Sequence, residues 1–230
     1  MREGPRPGPG GEGLKAPVPR PLGLPIAREG IPFILAGLLS GLLLLPLSSS
    51  AGGLLLGFGI FCCFFFRDFE RNTPQGDRLV VSPADGKVIE IAQVSEPSFI
   101  GGPAQRISIF MSVFDGHVNR APVSGRVAYR YYSPGEFHMA FVDKASELNE
   151  QLSLGLEYGD QRYLVRQIAG WVARRIVCYA ELGDELKCGS RYGMIRFGSR
   201  VDLFLPVSTS ISVRVGDRVR AGETVLGEVS

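Results

Sequence analysis

The rhythm of apolar positions divides the chain into three stretches. Residues 1–30 have no rhythm: Pro and Gly dominate, with Arg2, Arg6, Lys15, Arg20 and Arg28 scattered among them. Such a segment cannot bury a core and is expected to be disordered. With its long lead, and a longer apolar stretch behind it than an ordinary h-region, it is a poor secretory signal. Residues 31–66 are apolar almost throughout. Ser40 is the one polar side chain between Ile31 and Leu47, and Leu54 to Phe66 is apolar again after Ser48-Ser49-Ser50-Ala51-Gly52-Gly53. A spanning helix takes ~20 residues, so the run is long for one span and short for two. The Ser/Gly break predicts a tight helical hairpin in a membrane. A single tilted span and a buried helix pair in a soluble protein are the alternatives. Arg28 before the run and Arg67 and Arg71 after it put both ends of a hairpin in the cytoplasm by the positive-inside rule. A single span would instead separate the N-terminus from the rest of the chain.

From Asp77 onward the rhythm changes to short runs rich in Val, Ile, Tyr and Phe. They are Leu79–Val81, Lys87–Ile91, Arg106–Val113, Gly125–Tyr132, Arg162–Ile168, Trp171–Tyr179, Val201–Leu205, Ile211–Val215 and Thr224–Val229. Turn residues separate them, which predicts a mainly β domain over 67–230, a sandwich or barrel. One short helix is expected at Lys144–Gln151, with Leu148 inward and Glu147 and Glu150 outward.

Two internal repeats bear on architecture. Pro83-Ala84-Asp85-Gly86-Lys87-Val88 is similar to Pro122-Val123-Ser124-Gly125-Arg126-Val127, and Gly183-Asp184-Glu185-Leu186-Lys187-Cys188-Gly189 to Gly216-Asp217-Arg218-Val219-Arg220-Ala221-Gly222. Glycines sit where tight turns need positive φ. The second pair resembles the hairpins of lipoyl and biotinyl domains, which implies a barrel-sandwich hybrid of two related halves. It also keeps open a non-enzymatic reading, a membrane-anchored lipoyl-like adaptor, although neither hairpin shows the expected lysine motif.

Composition narrows the classes. The 230 residues predict one domain plus appendages. A formal charge of +2 gives no case for nucleic acid. Cys62, Cys63, Cys178 and Cys188 have no ligand spacing and read as reduced and structural, with no metal site.

Candidate chemistry centres on Arg196-Phe197-Gly198-Ser199-Arg200-Val201-Asp202. Ser199 reads as a turn residue, a nucleophile or a self-cleavage site; no G-x-S-x-G elbow surrounds it. His117 follows a strand and is crowded by Asp115, Asn119 and Arg120, whereas His138 reads as a loop residue. Asp85 sits in a Pro-Ala-Asp-Gly turn, where aspartate is common. Lys144 and Glu147 read as an (i, i+3) surface pair.

Five blocks in order carry a family resemblance: Phe66-Arg67-Asp68, Ser82 to Val88, His117 to Pro122, Asp143 to Glu150, and Arg196 to Asp202. Together they resemble the short-type phosphatidylserine decarboxylase proenzymes from about residue 60 to the end. The resemblance implies self-cleavage between Gly198 and Ser199 into chains 1–198 and 199–230 that stay associated. Ser199 would become a pyruvoyl group, the self-derived cofactor, which holds the substrate amine as a Schiff base. It further implies Asp85 and His117 as catalytic, with Asp115 able to replace Asp85. Arg120 and Arg200 are candidates for the substrate's carboxylate or phosphate. The expected enzyme is anchored at the cell membrane, faces the cytoplasm and decarboxylates phosphatidylserine. A related serine-headgroup lipid, such as the ether-linked archaeal kind, is an alternative substrate, and a homo-oligomer is compatible with the reading.

Overall fold

The computed structural model describes residues 23–135, 149–170, 175–196 and 199–229. Gly198, His138, Lys144, Glu147 and Trp171 lie outside these residues.

Two short helices open the described chain. Helix α1 (Ile31–Leu44) starts with Pro32 in its first turn, where a missing N–H costs nothing. Helix α2 (Ser49–Phe65) is capped by Ser48, whose Oγ accepts from the Ala51 N–H. They pack antiparallel along a seam of glycines. A Cβ on Gly37 would stand 2.8 Å from the Gly59 backbone, and one on Gly59 2.9 Å from the Leu38 nitrogen. Larger residues at either position would push the helices apart. The outward faces remain apolar and exposed, with Leu39, Leu42, Leu43, Leu54 and Ile60 among them. Among the described residues no helix is long and apolar enough to cross a membrane. α1 has 14 residues and α2 has 17, about 21 and 26 Å of helix. A spanning helix, one of the expectations above, is therefore not among them.

The remainder is mainly β. The strands are β1 (Leu79–Val81), β2 (Gly86–Glu96), β3 (Gly102–Met111), β4 (Val118–Arg120), β5 (Gly125–Ser133), β6 (Gln151–Tyr158), β7 (Gln161–Ala169), β8 (Ile176–Cys178), β9 (Glu185–Leu186), β10 (Arg191–Ile195), β11 (Ser199–Pro206), β12 (Ser210–Ile211), β13 (Arg218–Val219) and β14 (Val225–Glu228). Eight of them form one curled antiparallel sheet in the order β13-β2-β3-β11-β7-β6-β5-β9. Two three-stranded sheets, β1-β14-β12 and β4-β10-β8, complete the domain. Alternate residues line its core, including Ile107 and Ile109 of β3, Leu154 of β6, Val165 of β7, and Val201 and Leu203 of β11, all fully buried. Each contributes about 1.5–3 kcal/mol by leaving water.

The large sheet reads alike from both ends, and the repeats explain why. In one half the Gly183 N–H donates to Val127 O and the Val127 N–H to Asp184 O, both at 2.8 Å. In the other the Gly216 N–H donates to Val88 O at 2.8 Å and the Val88 N–H to Asp217 O at 2.9 Å. Each hairpin closes on its aspartate, which accepts from the Glu181 N–H or the Arg214 N–H at 2.8 Å. Gly183 and Gly216 take φ of 91° and 104°, a region that L side chains rarely enter.

One expectation is corrected. Gln151 does not end a helix but opens β6, whose Leu152, Leu154 and Leu156 are buried in strand alternation. Of the run expected over Trp171–Tyr179, Ile176–Cys178 is strand and 171–174 lie outside the described residues.

Candidate active site

Ser199 is the first residue of β11, a central strand flanked by Met111 of β3 and Ala169 of β7. It is fully buried, and its hydroxyl donates to Met111 Sδ at 3.4 Å. A thioether is a weak acceptor, so this hydroxyl is loosely engaged. Strand alternation aims Ser199 into the core with Val201 and Leu203, and aims Arg200 and Asp202 through the opposite face.

His117 ends the turn after β3 and is fully buried. Its carbonyl accepts from the Ile195 N–H at 3.3 Å, which ties it to the end of β10, just before the passage into Ser199. Its ring lies against Phe65 of α2, with centroids 4.0 Å apart and planes tilted by 32°. Neither ring nitrogen has a hydrogen bond; the Asp115 carbonyl approaches the ring without reaching that geometry. Burial pushes the imidazole pKa down to about 4, Arg67 adds to the depression, and Asp115 opposes it. At neutral pH the ring is therefore an uncharged base.

Two polar side chains not expected as site residues lie linked to Met111, the partner of Ser199. Asn119 Nδ2 reaches Met111 Sδ at 3.8 Å and Pro83 O at 3.4 Å, while its Oδ1 accepts from Gln167 Nε2 at 2.8 Å. Met111 thus touches both Ser199 and Asn119. Gln167 is fully buried, and its Oε1 has no partner. A signal existed: Tyr163, Val165 and Ala169 are the apolar inward positions of β7, and Gln167 interrupts them.

The two aspartates have other engagements. Asp115 closes its own turn, accepting from Ser112 N–H at 2.8 Å and Oγ at 2.7 Å, and it pairs with Arg218 at 2.9 Å. Asp85 accepts from the Ala221 N–H through Oδ1 and pairs with Arg71 through Oδ2, each at 2.7 Å. That Oδ2 also lies 2.5 Å from where a Cβ on Gly116 would sit. Asp85 therefore abuts the residue before His117, yet neither carboxylate bonds the imidazole.

The two candidate arginines are committed to the scaffold. Arg120 Nη1 donates to Gly189 O at 2.9 Å, and Nη2 to Phe69 O at 2.9 Å and Asp68 Oδ1 at 3.1 Å. It fastens the segment after α2 to the β domain, and burial lowers its pKa to about 10. Arg200 is 2% exposed and bonds Asp202 at 2.6 Å and Ser108 Oγ at 2.9 Å, on the sheet face away from Ser199. The structure does not bring either guanidinium to the Ser199 hydroxyl. All four cysteines are free thiols. Among the described residues no His/Cys/Asp/Glu cluster could hold a metal.

Comparison with known proteins was made over the whole chain, Ser199 and His117 included. The family model described as phosphatidylserine decarboxylase matches residues 58–227. The phosphatidylserine decarboxylase proenzyme of Symbiobacterium thermophilum is 50% identical over 205 residues, covering 89% of this chain and 95% of that protein. That of Syntrophus aciditrophicus is 50% identical over 205 residues, covering 88% and 96%. That of Desulfotalea psychrophila is 46% identical over 210 residues, covering 90% and 97%. With so much of the chain matched at half identity, and the match reaching through every element of the site, the chain belongs to the phosphatidylserine decarboxylase family.

Proposed function

We propose that this chain cleaves itself before Ser199, forms a pyruvoyl group there, and then decarboxylates phosphatidylserine to phosphatidylethanolamine. The supporting observation is that Ser199 and His117 are both fully buried, and that both ring nitrogens of His117 are orphaned. Buried polar atoms without partners are costly. Together with the orphaned Gln167 Oε1 they fit a small polar group formed at position 199.

In the first step neutral His117 takes the Ser199 hydroxyl proton, and Oγ attacks the Gly198 carbonyl, exchanging amide for ester. Removal of the Ser199 α-proton then breaks the Cβ–O bond and frees chain 1–198 as a carboxylate. Residue 199 takes up water and loses ammonia to become the pyruvoyl group. That group supplies a ketone able to take the substrate amine and accept the electron pair left by carbon dioxide. In the second reaction His117 returns a proton to the headgroup carbon. Asp85 acts through the turn at Gly116, which it braces.

The apolar helix pair reads as the membrane anchor. Helices shorter than the ~30 Å hydrocarbon layer suit a re-entrant hairpin. Arg28, Arg67 and Arg71 at its two ends then keep the β domain on the cytoplasmic side. The paired Gly-Asp hairpins support a barrel-sandwich hybrid of the lipoyl and biotinyl kind.

Intact mass spectrometry on the purified protein beside Ser199→Ala is the test. The expected result is two chains for the wild type, the smaller lighter by one ammonia than an unmodified 199–230 peptide, and one whole chain for the variant. A folded wild type that stays whole in membrane-like detergent sinks the reading.

A further inference from the structure

The turn between β3 and His117 exposes its apolar residues and leaves its polar ones half-buried, the reverse of an ordinary surface turn. Phe114 is 69% exposed and Val113 is 36% exposed, while Asp115 is folded back onto Ser112. This tip does not stand alone. Arg67, just past the end of α2, donates to Phe114 O at 2.7 Å and to Phe64 O at 2.9 Å. Its guanidinium also lies 4.2 Å over the Phe64 ring. One arginine thus joins the tip to the aromatic end of the helix pair, whose Phe61 and Phe64 are likewise exposed.

The charges around this patch are mostly positive. Arg67 has no carboxylate at ion-pair distance among the described residues, although Asp85 and Asp115 lie near enough to be felt. Lys87 and Arg218 face each other across β2 and β13 beside the tip, and both are exposed. Arg218 pairs with Asp115 and leaves that carboxylate no charge to spare. Aromatic and aliphatic side chains ringed by Arg and Lys are the composition of a segment lying in a bilayer interface, rings among the acyl chains and cations at the phosphates.

We infer that the Val113–Phe114 tip, with Phe61, Phe64 and Arg67, is a second membrane contact that seats the turn leading to His117 in an anionic lipid surface. Its functional consequence rests on the phosphatidylserine reading, because His117 lies only three residues beyond Phe114. A lipid headgroup held beside Arg67 would then enter the site without its chains leaving the bilayer.

The test uses the full chain bound to vesicles of phosphatidylcholine with a minority of phosphatidylglycerol, their acyl chains brominated near the headgroup. Trp171, the one natural tryptophan, is replaced in the W171F background. There, F114W is expected to emit to the blue and to lose emission on brominated vesicles. Y158W, at the opposite end of the sheet from Ser199, is expected to keep its emission. Equal emission of F114W on brominated and plain vesicles, with the protein vesicle-bound, overturns the inference. A second reading uses Phe114→Ser in protein that has cleaved itself. Its activity on vesicle phosphatidylserine should fall roughly tenfold more than on dispersed short-chain phosphatidylserine, about the partitioning of one phenyl ring. An equal fall on both substrates counts against a surface contact. A wild type with no decarboxylase activity would instead fault the functional reading, and the quenching result would still decide the membrane contact.

Discussion

The two halves of the β domain are built on the same bonds but are not equally equipped. In one, the Cys188 N–H donates to Ser124 Oγ at 3.1 Å. At the matching place in the other, the Ala221 N–H donates to Asp85 Oδ1 at 2.7 Å. A serine oxygen is enough to satisfy that N–H, so scaffold duty accounts for only one oxygen of Asp85. The other faces Arg71 and Gly116, a connection its counterpart lacks. The entries to the two central strands differ too. β7 begins at Gln161 after a tight surface turn from Tyr158. β11 begins at Ser199, buried beside Met111. The difference falls where the candidate site residues Asp85 and Ser199 lie.

The largest break in this asymmetry is His117→Ala. Loss of a general base costs ~10²–10⁴-fold, so self-cleavage followed by gel electrophoresis should slow by that order while the fold survives. Asp85→Ser converts the equipped half into a copy of the plain one. The Ala221 N–H keeps an acceptor, and cleavage should slow by ~10²-fold with little loss of melting temperature. Cleavage of that variant at the wild-type rate would make Asp85 a turn residue and nothing more. Next is acid stability. His117 has a folded pKa of about 4 against ~6.5 in the unfolded chain, so the unfolded state binds more protons between those values. Its contribution is intact above ~6.5, is lost as pH falls toward 4, and is on the order of 3 kcal/mol. Denaturant unfolding across this range should show that slope in uncleaved Ser199→Ala and a flatter one when His117→Gln is added. The smallest effect is the reciprocal change, Ser124→Asp, expected to move stability by less than ~1 kcal/mol and leave cleavage unaltered.

Much of the frame was legible because period-two alternation and Gly-Asp turns are local. Leu79–Val81 was read to the residue, and both repeats mark real equivalences. What escaped was either too short or decided at a distance. β4, β9 and β13 have only two or three residues each, too few to show a rhythm. β6 has three Leu with one Gln and one Glu, residues comfortable in helices, and lacks β-branched side chains, so its packing between β5 and β7 decides that it is a strand. Within the site, Ser199 and His117 stood out as residues, but the neutrality of His117 comes from burial in the folded chain, where Phe65, more than fifty positions away, packs on its ring. Arg200 looked available beside Ser199. Strand geometry sends adjacent side chains to opposite faces, and Asp202, two positions on, claims it.

The central position of β11 has a consequence for the enzyme's lifetime. The proposed cut before Ser199 would leave a short chain of four strands, with β11 gripped by β3 on one side and β7 on the other. Such a strand cannot be slotted in after the sheet has closed, so folding must precede the cut. The precursor can refold alone, whereas the mature protein, once unfolded, must find its lost fragment by diffusion. Maturation by such a cut would act as a ratchet: each precursor would make the catalyst once, and heat from which the proenzyme recovers would scatter the two chains of the finished enzyme.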